Sequence, residues 1–200
     1  MPTFLHVGCG VNKKDNTTRG FNSKDWTEIR FDIDKAAHPD VLGTMTDMSA
    51  IETSSVDAIF SSHNIEHLNA YEVPIALKEF LRVLRPDGFA VITCPDLQSV
   101  CQQVAEDKLL EPLYETSMGV PVTPIDIIYG FRPDLEAGKS YMAHRCGFTK
   151  KVMGGVLKGV GFQSIATMRR ESKFDLFAVA SKSMKTDPEI RELARCHFPQ

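Results

Sequence analysis

The sequence predicts an α/β fold in which a doubly wound, mostly parallel sheet ends in an antiparallel hairpin. Three observations point there. The apolar run Leu5-His6-Val7 ends in the turn Gly8-Cys9-Gly10, and a second run, Glu28-Ile29-Arg30-Phe31, ends in Asp32 at the ~20-residue interval with which such sheets begin. Strand-like and helix-like patterns alternate after it. Two strand patterns, 162–168 and 174–181, then follow each other across a link too short for a crossover helix, so they pair antiparallel.

Glycines at 8 and 10 let the backbone turn off the first strand and let a ligand approach the main chain with no Cβ in the way. At the end of the next strand, Asp32 can accept hydrogen bonds from the two vicinal hydroxyls of a ribose. Together these residues predict an adenosine-like ligand lying across the strand ends.

The remaining elements follow in order. A short strand is predicted at 40–43 and a clearer one over Val56-Asp57-Ala58-Ile59-Phe60-Ser61-Ser62. Val73, Leu77, Phe80 and Leu84 then recur on one helical face. Asn69 is the expected N-cap, with Glu72 three residues on and Pro74 near enough to the start to be tolerated. Arg85-Pro86-Asp87-Gly88 ends that helix. Phe89 to Cys94 is almost continuously apolar, as a parallel strand covered on both faces must be. Helices are expected over 97–110 and from an N-cap at Thr149 through Val152, Val156 and Val160 to Gly161. Asp187 as N-cap and Pro188 as first helical residue open a last helix towards Arg195.

The chain's 200 residues are slightly more than one typical domain, so a single domain over 1–200 with a lid-like insertion at 111–148 is expected. Hydrophobic content of 42% and charged content of 24% are near the globular average, which excludes a disordered chain. A net charge of −3 argues against bulk nucleic acid as partner, and Lys150, Lys151 and Lys158 read as a solvated helix face. The five cysteines are odd in number and lack C-x-x-C spacing, and no basic leader precedes the first strand. No apolar stretch approaches the ~18 residues of a membrane span. The expectation is a reduced, cytoplasmic protein without a membrane partner.

Four segments in this order resemble class I S-adenosylmethionine-dependent methyltransferases over roughly residues 3–182: the glycine motif at 5–10, the acidic strand end Phe31-Asp32-Ile33-Asp34, the strand and exit at 56–68, and Leu81-Arg82-Val83-Leu84-Arg85-Pro86-Asp87-Gly88. The resemblance implies a seven-stranded, Rossmann-like methyltransferase sheet and S-adenosylmethionine as cofactor. It implies that Gly8, Cys9 and Gly10 face the methionine and ribose parts, and that Asp32, with Ile33 beside it, holds the ribose. Thr46 and Asp47 would border the adenine, Asp47 as acceptor for its amine, and Ser62, His63 and Asn64 would lie near the sulfonium. Two residues depart from the family pattern: His6 stands where an acid is usual, and Asn12 replaces a frequent third glycine. The segment 11–27 also lacks a helix pattern, so the usual first helix is expected to be short or absent.

His63, His67 and His144 are the candidate catalytic residues, because imidazole titrates near neutrality. The insertion carries Tyr129, Arg132, Tyr141, His144 and Arg145 as candidates to line an acceptor pocket. The implied reaction is methyl transfer to a small molecule or protein side chain. Two other readings stay open: a non-catalytic module that binds S-adenosylmethionine or S-adenosylhomocysteine, and a zinc hydrolase using the H-x-x-E-H spacing of His63, Glu66 and His67. The hydrolase needs a third protein ligand that the sequence does not identify, and no residue is assigned to a metal.

Overall fold

The computed structural model describes residues 1–116 and 118–199. Strands β1 (Thr3–Val7), β2 (Thr27–Asp32), β3 (Val41–Leu42), β4 (Val56–Ser62) and β5 (Leu84–Pro95) are mutually parallel. A separate two-stranded hairpin is made by β6 (Tyr114–Glu115) and β7 (Pro121–Val122). Strands β8 (Ser164–Arg170) and β9 (Asp175–Ser181) pair antiparallel, and β9 pairs antiparallel with β5. The resulting seven-stranded sheet has the order β3-β2-β1-β4-β5-β9-β8, as the fold class predicted.

Alternation along the strands gives the sheet two apolar faces. Leu5, Val7, Ile59 and Ile92 point to one, which α1 (Val73–Val83) covers with Leu77 and Phe80. The short α2 (Leu97–Ala105) leads away from β5 into the insertion. There α3 (Pro124–Tyr129) and α4 (Arg132–Glu136) have a small core of their own around Val100, Val122 and Ile127. Helix α5 (Lys150–Val160) returns to the first face with Met153 and Leu157.

Phe4, Ala58, Phe60, Val91 and Val179 point to the opposite face. After β1 the chain forms only a single 3-10 turn, Lys14–Asn16, so no helix from this segment covers it. Phe21 and Trp26 do so instead, together with α6 (Asp187–His197). Phe21 is fully buried and stacks on Phe4 with ring centroids 4.5 Å apart.

Several boundaries differ from the sequence expectation, each for a local reason. Helix α1 begins at Val73, four residues after Asn69. Pro74 has no N–H to bond the carbonyl of residue 70, so the turn that Glu72 N closes onto Asn69 O at 2.8 Å does not continue into α1 as α-helix. Glu72 instead accepts from the Asn69 backbone and side chain, both at 2.8 Å. Leu84 joins β5, and residues 85–88 bulge between the pairs Val56–Leu84 and Ala58–Phe89. Helix α2 stops at Ala105, because Asp107 turns the chain with a left-handed φ of 62°. The cap of α6 is Thr186, not Asp187. Its hydroxyl and amide both bond Glu189 at 2.7 Å, a reciprocal Thr-x-x-Glu box that Asp187 cannot form.

Candidate functional site

The carboxyl ends of β1, β2 and β4 open on one cavity of about 760 Å³, roofed by residues 134–145 of the insertion. Gly8 and Gly10 both take left-handed φ values, 69° and 52°, which carry the chain off β1. A Cβ on Gly8 would stand 2.2 Å from Asn64 Nδ2, so Asn64 fills that side of the turn. Around Gly10 no atom lies within 4 Å of a built Cβ, so its main chain is open to the cavity.

Asp32 fixes this loop from the β2 side. Its Oδ2 accepts from Gly10 N at 2.7 Å and its Oδ1 from Asp34 N at 2.8 Å. Each carboxylate oxygen has a second lone pair, and those remain for a ligand. Arg30 braces the loop from outside, with hydrogen bonds to the carbonyls of Gly10 at 2.5 Å and Asn12 at 3.1 Å. The alternating pattern of β2 marks Arg30 only as a solvent-side residue, so its role was not legible.

Of the expected cofactor residues, Gly8, Cys9, Gly10, Asp32, Ile33, Thr46, Ser62 and His63 line this cavity. Asp47 does not. Its carboxylate accepts from Ser49 N at 3.1 Å and borders a separate surface hollow beside Glu79 and Arg82, so it is not positioned to meet an adenine. His6 also points elsewhere: strand alternation turns it to the Phe4 face, where Nδ1 lies 2.7 Å from Glu28 Oε1. The departure from the family pattern at position 6 therefore lies outside the cavity. Asn64, on the β4 exit, bonds Ser61 Oγ at 3.3 Å and Met45 Sδ at 3.2 Å.

The roof is tied down by Tyr141, whose hydroxyl donates to Asp34 Oδ2 at 2.7 Å. This bond holds the Asp34 carboxyl below its ordinary value and pushes the Tyr141 phenol up to about 12. Arg145 lines the cavity as expected, but Tyr129 and Arg132 do not. Tyr129 is 64% exposed, and Arg132 is spent on Asp126, with Nε 2.5 Å from Oδ1. Burial alone would raise the Asp126 carboxyl, yet Arg132 and Thr123 outweigh it and hold it at about 2.

The three candidate catalytic histidines separate. His63 and His67 border the cavity, whereas His144 stands behind His67, ring centroids 5.0 Å apart, with Nδ1 2.6 Å from Ile127 O. His63 adopts a left-handed φ of 48° and precedes the 3-10 turn Ile65–His67, so His63 and His67 do not share a helical face as the hydrolase spacing requires. Burial disfavours charge on His63, but Asp175 Oδ2 at 3.8 Å and Glu66 Oε1 at 3.6 Å outweigh it and push its pKa up to about 9. Beside these two carboxylates, His63 is placed to act as a hydrogen-bond donor.

Comparison with known proteins agrees with this geometry. Residues 5–92 match the family model described as a methyltransferase domain. A Methanosarcina mazei S-adenosylmethionine-dependent methyltransferase superposes over 92% of this chain and 93% of its own, with 17% identity and a TM-score of 0.60. The Burkholderia thailandensis 1,6-didemethyltoxoflavin-N1-methyltransferase, solved with 1,6-didemethyltoxoflavin and S-adenosylhomocysteine, superposes over 92% and 72%, with 14% identity and a TM-score of 0.56. The methyltransferase domain of the citrinin polyketide synthase superposes over 92% and 47%, with 14% identity and a TM-score of 0.56. This chain thus spans about half the length of that last structure. At these identities the likeness establishes the fold. No curated protein matches the sequence.

The chain therefore shares its fold with these methyltransferases, and its first half, residues 5–92, matches the methyltransferase-domain model. The open main chain at Gly10, the Asp32 carboxylate and a cavity of this size fit an adenosyl ligand such as S-adenosylmethionine. Gly10→Ala is an expected discriminator. Forcing a Cβ to a left-handed φ costs about 1–2 kcal/mol of stability, measurable by urea unfolding. The Cβ then occupies the open side of the loop, and S-adenosylhomocysteine affinity is expected to fall more steeply than stability. Unchanged affinity would place the ligand elsewhere.

Proposed function

We propose that this protein transfers a methyl group from S-adenosylmethionine to a small molecule or a protein side chain admitted to the roofed cavity. The observation that carries this reading is the cradle of Gly8, Gly10 and Asp32 opening on the same cavity as His63 and Arg145. Asp32 and Ile33 would hold the ribose end, Thr46 the adenine side, and Gly8, Cys9, Gly10, Ser62 and His63 the methionine end. When bound, S-adenosylmethionine supplies an electrophilic methyl on a positively charged sulfur.

The chain's own share is orientation and exclusion of water. Tyr141, clamped to Asp34, makes the 111–148 segment a lid over the strand ends. His63, beside Glu66 and Asp175, is placed to donate a hydrogen bond and suits an acceptor that presents an anionic or carbonyl oxygen. His67 gives its Nδ1 proton to Ala143 O at 3.2 Å, and His144 lies a ring further back, so neither is required to act on the acceptor. A net charge of −3 disfavours bulk nucleic acid. Among the described residues no helix is long and apolar enough to cross a membrane. The five free cysteines fit a reducing compartment such as the cytoplasm.

Titration calorimetry with S-adenosylmethionine and S-adenosylhomocysteine, followed by an assay of methyl-donor consumption in fractionated extract, tests the reading. One site per chain and extract-dependent formation of S-adenosylhomocysteine are expected. Binding without consumption in any fraction would favour a cofactor-binding module, and absence of binding would remove both.

A further inference from the structure

Glu66 is buried, 1% exposed, in the turn after β4. Among the described residues neither of its carboxylate oxygens accepts a hydrogen bond, and its ion pair with His63 is long at 3.6 Å. An ionised carboxylate held this way is costly unless a cation lies close to it.

Two imidazoles converge on it. One donor atom from each of Glu66, His67 and His144 lies within 4.8 Å of the others. Both rings are held from behind, His67 Nδ1 at 3.2 Å from Ala143 O and His144 Nδ1 at 2.6 Å from Ile127 O. A carbonyl oxygen only accepts, so each ring presents an Nδ1 proton to it, which leaves Nε2 as the ring atom open to a ligand bond. A carbonyl that fixes tautomer and ring orientation is the usual outer support of a metal-bound histidine.

We propose that Glu66, His67 and His144 form a binding site for a divalent transition cation, Zn²⁺ foremost, which fastens the insertion to the turn after β4. Two imidazoles and one carboxylate are a borderline donor set that suits zinc and leaves a fourth position free. Bonds of about 2.0–2.1 Å set tetrahedral ligands roughly 3.3 Å apart, so the three side chains draw together on binding. The main chain is already docked there, since Arg145 N and Cys146 N donate to Glu66 O at 2.9 and 3.2 Å. His67 also borders the cavity, which brings the cation within one side chain of the acceptor space. His63, the first residue of the H-x-x-E-H spacing, is not a ligand in this arrangement, and His144 supplies the third donor that the sequence left unidentified.

The test is a cobalt(II) titration of chelator-stripped protein, followed by displacement with zinc(II). One equivalent of cobalt is expected to give the visible ligand-field bands of a low-coordinate nitrogen and oxygen site, and zinc is expected to erase them. His67→Ala and His144→Ala are expected to weaken cobalt binding more than about tenfold, having lost one of three ligands, whereas His63→Ala retains it. Far-UV circular dichroism and thermal melts on each variant separate loss of a ligand from loss of the fold. Wild-type protein that develops no bands overturns the proposal without any variant, as do bands that survive both substitutions. Either result leaves the cofactor reading untouched, because that reading is measured by calorimetry on the metal-free protein.

Discussion

Asp32→Ala is expected to weaken S-adenosylhomocysteine binding by at least about a hundredfold, the equivalent of one or two hydrogen bonds to a charged group. Its carboxylate has two tasks. It accepts from Gly10 N and Asp34 N, which shapes the loop, and its outward lone pairs remain for the ribose hydroxyls. Alanine loses both. The fold is expected to survive, because Asp32 ends β2 and packs beside the sheet core without being part of it. Stability should fall by about 1–3 kcal/mol for the two backbone donors left without their acceptor. Asp32→Asn separates the tasks: its one carbonyl oxygen can serve Gly10 or Asp34 but not both, and its amide presents a donor where the other N–H already points. Calorimetry on both variants, with thermal melts followed by circular dichroism, gives the comparison. An unchanged dissociation constant for Asp32→Ala would remove the cradle from the site.

The sheet and the meeting of Gly8, Gly10 and Asp32 at its carboxyl edge were legible because their signals are local. A left-handed turn after β1 needs glycine, and the acid that faces it ends the very next strand, so both ends of the cradle are written in short motifs at fixed spacing. Strand β9 could be paired only one way, since the four residues between β8 and β9 are too few for a crossover helix. What failed was either competition over a few residues or contact across many. Asp47 was read as a ligand, but a short carboxylate two residues before a free amide caps its own turn at Ser49. Asp187 was read as a cap, but Thr186 had the partner three residues on. The bond from Tyr141 to Asp34 and the meeting of His144 with Glu66 and His67 join the insertion to the first half of the chain. No periodicity or spacing encodes such contacts, because the intervening fold alone decides them. The absence of a helix after β1 was readable, whereas its consequence, that α6 and Phe21 close the exposed face, was not.

That closure carries the second large expected effect, a loss of stability in mild acid. His197 lies 4% exposed at the end of α6, with ring centroids 4.4 Å from Phe21 and 5.3 Å from Phe89, and Nδ1 2.6 Å from Thr18 Oγ1. Burial among these rings disfavours the imidazolium and lowers its pKa from 6.5 to about 4. The sign follows from which state takes up the proton first. Below pH 6.5 the unfolded chain protonates this histidine while the folded chain does not, so its full contribution is present above 6.5 and is lost progressively as pH falls towards 4. Over that window the loss amounts to about 3 kcal/mol at ~1.4 kcal/mol per unit. Urea unfolding of wild type and of His197→Leu, which retains an apolar side chain without a titrating group, measures it. His6 and His144 are also lowered by burial, so the variant keeps some pH dependence. The prediction is the difference: between pH 7 and pH 4 the wild type should lose about 3 kcal/mol more than His197→Leu. Equal losses would mean that α6 and its histidine leave the sheet face at no cost to the rest of the fold.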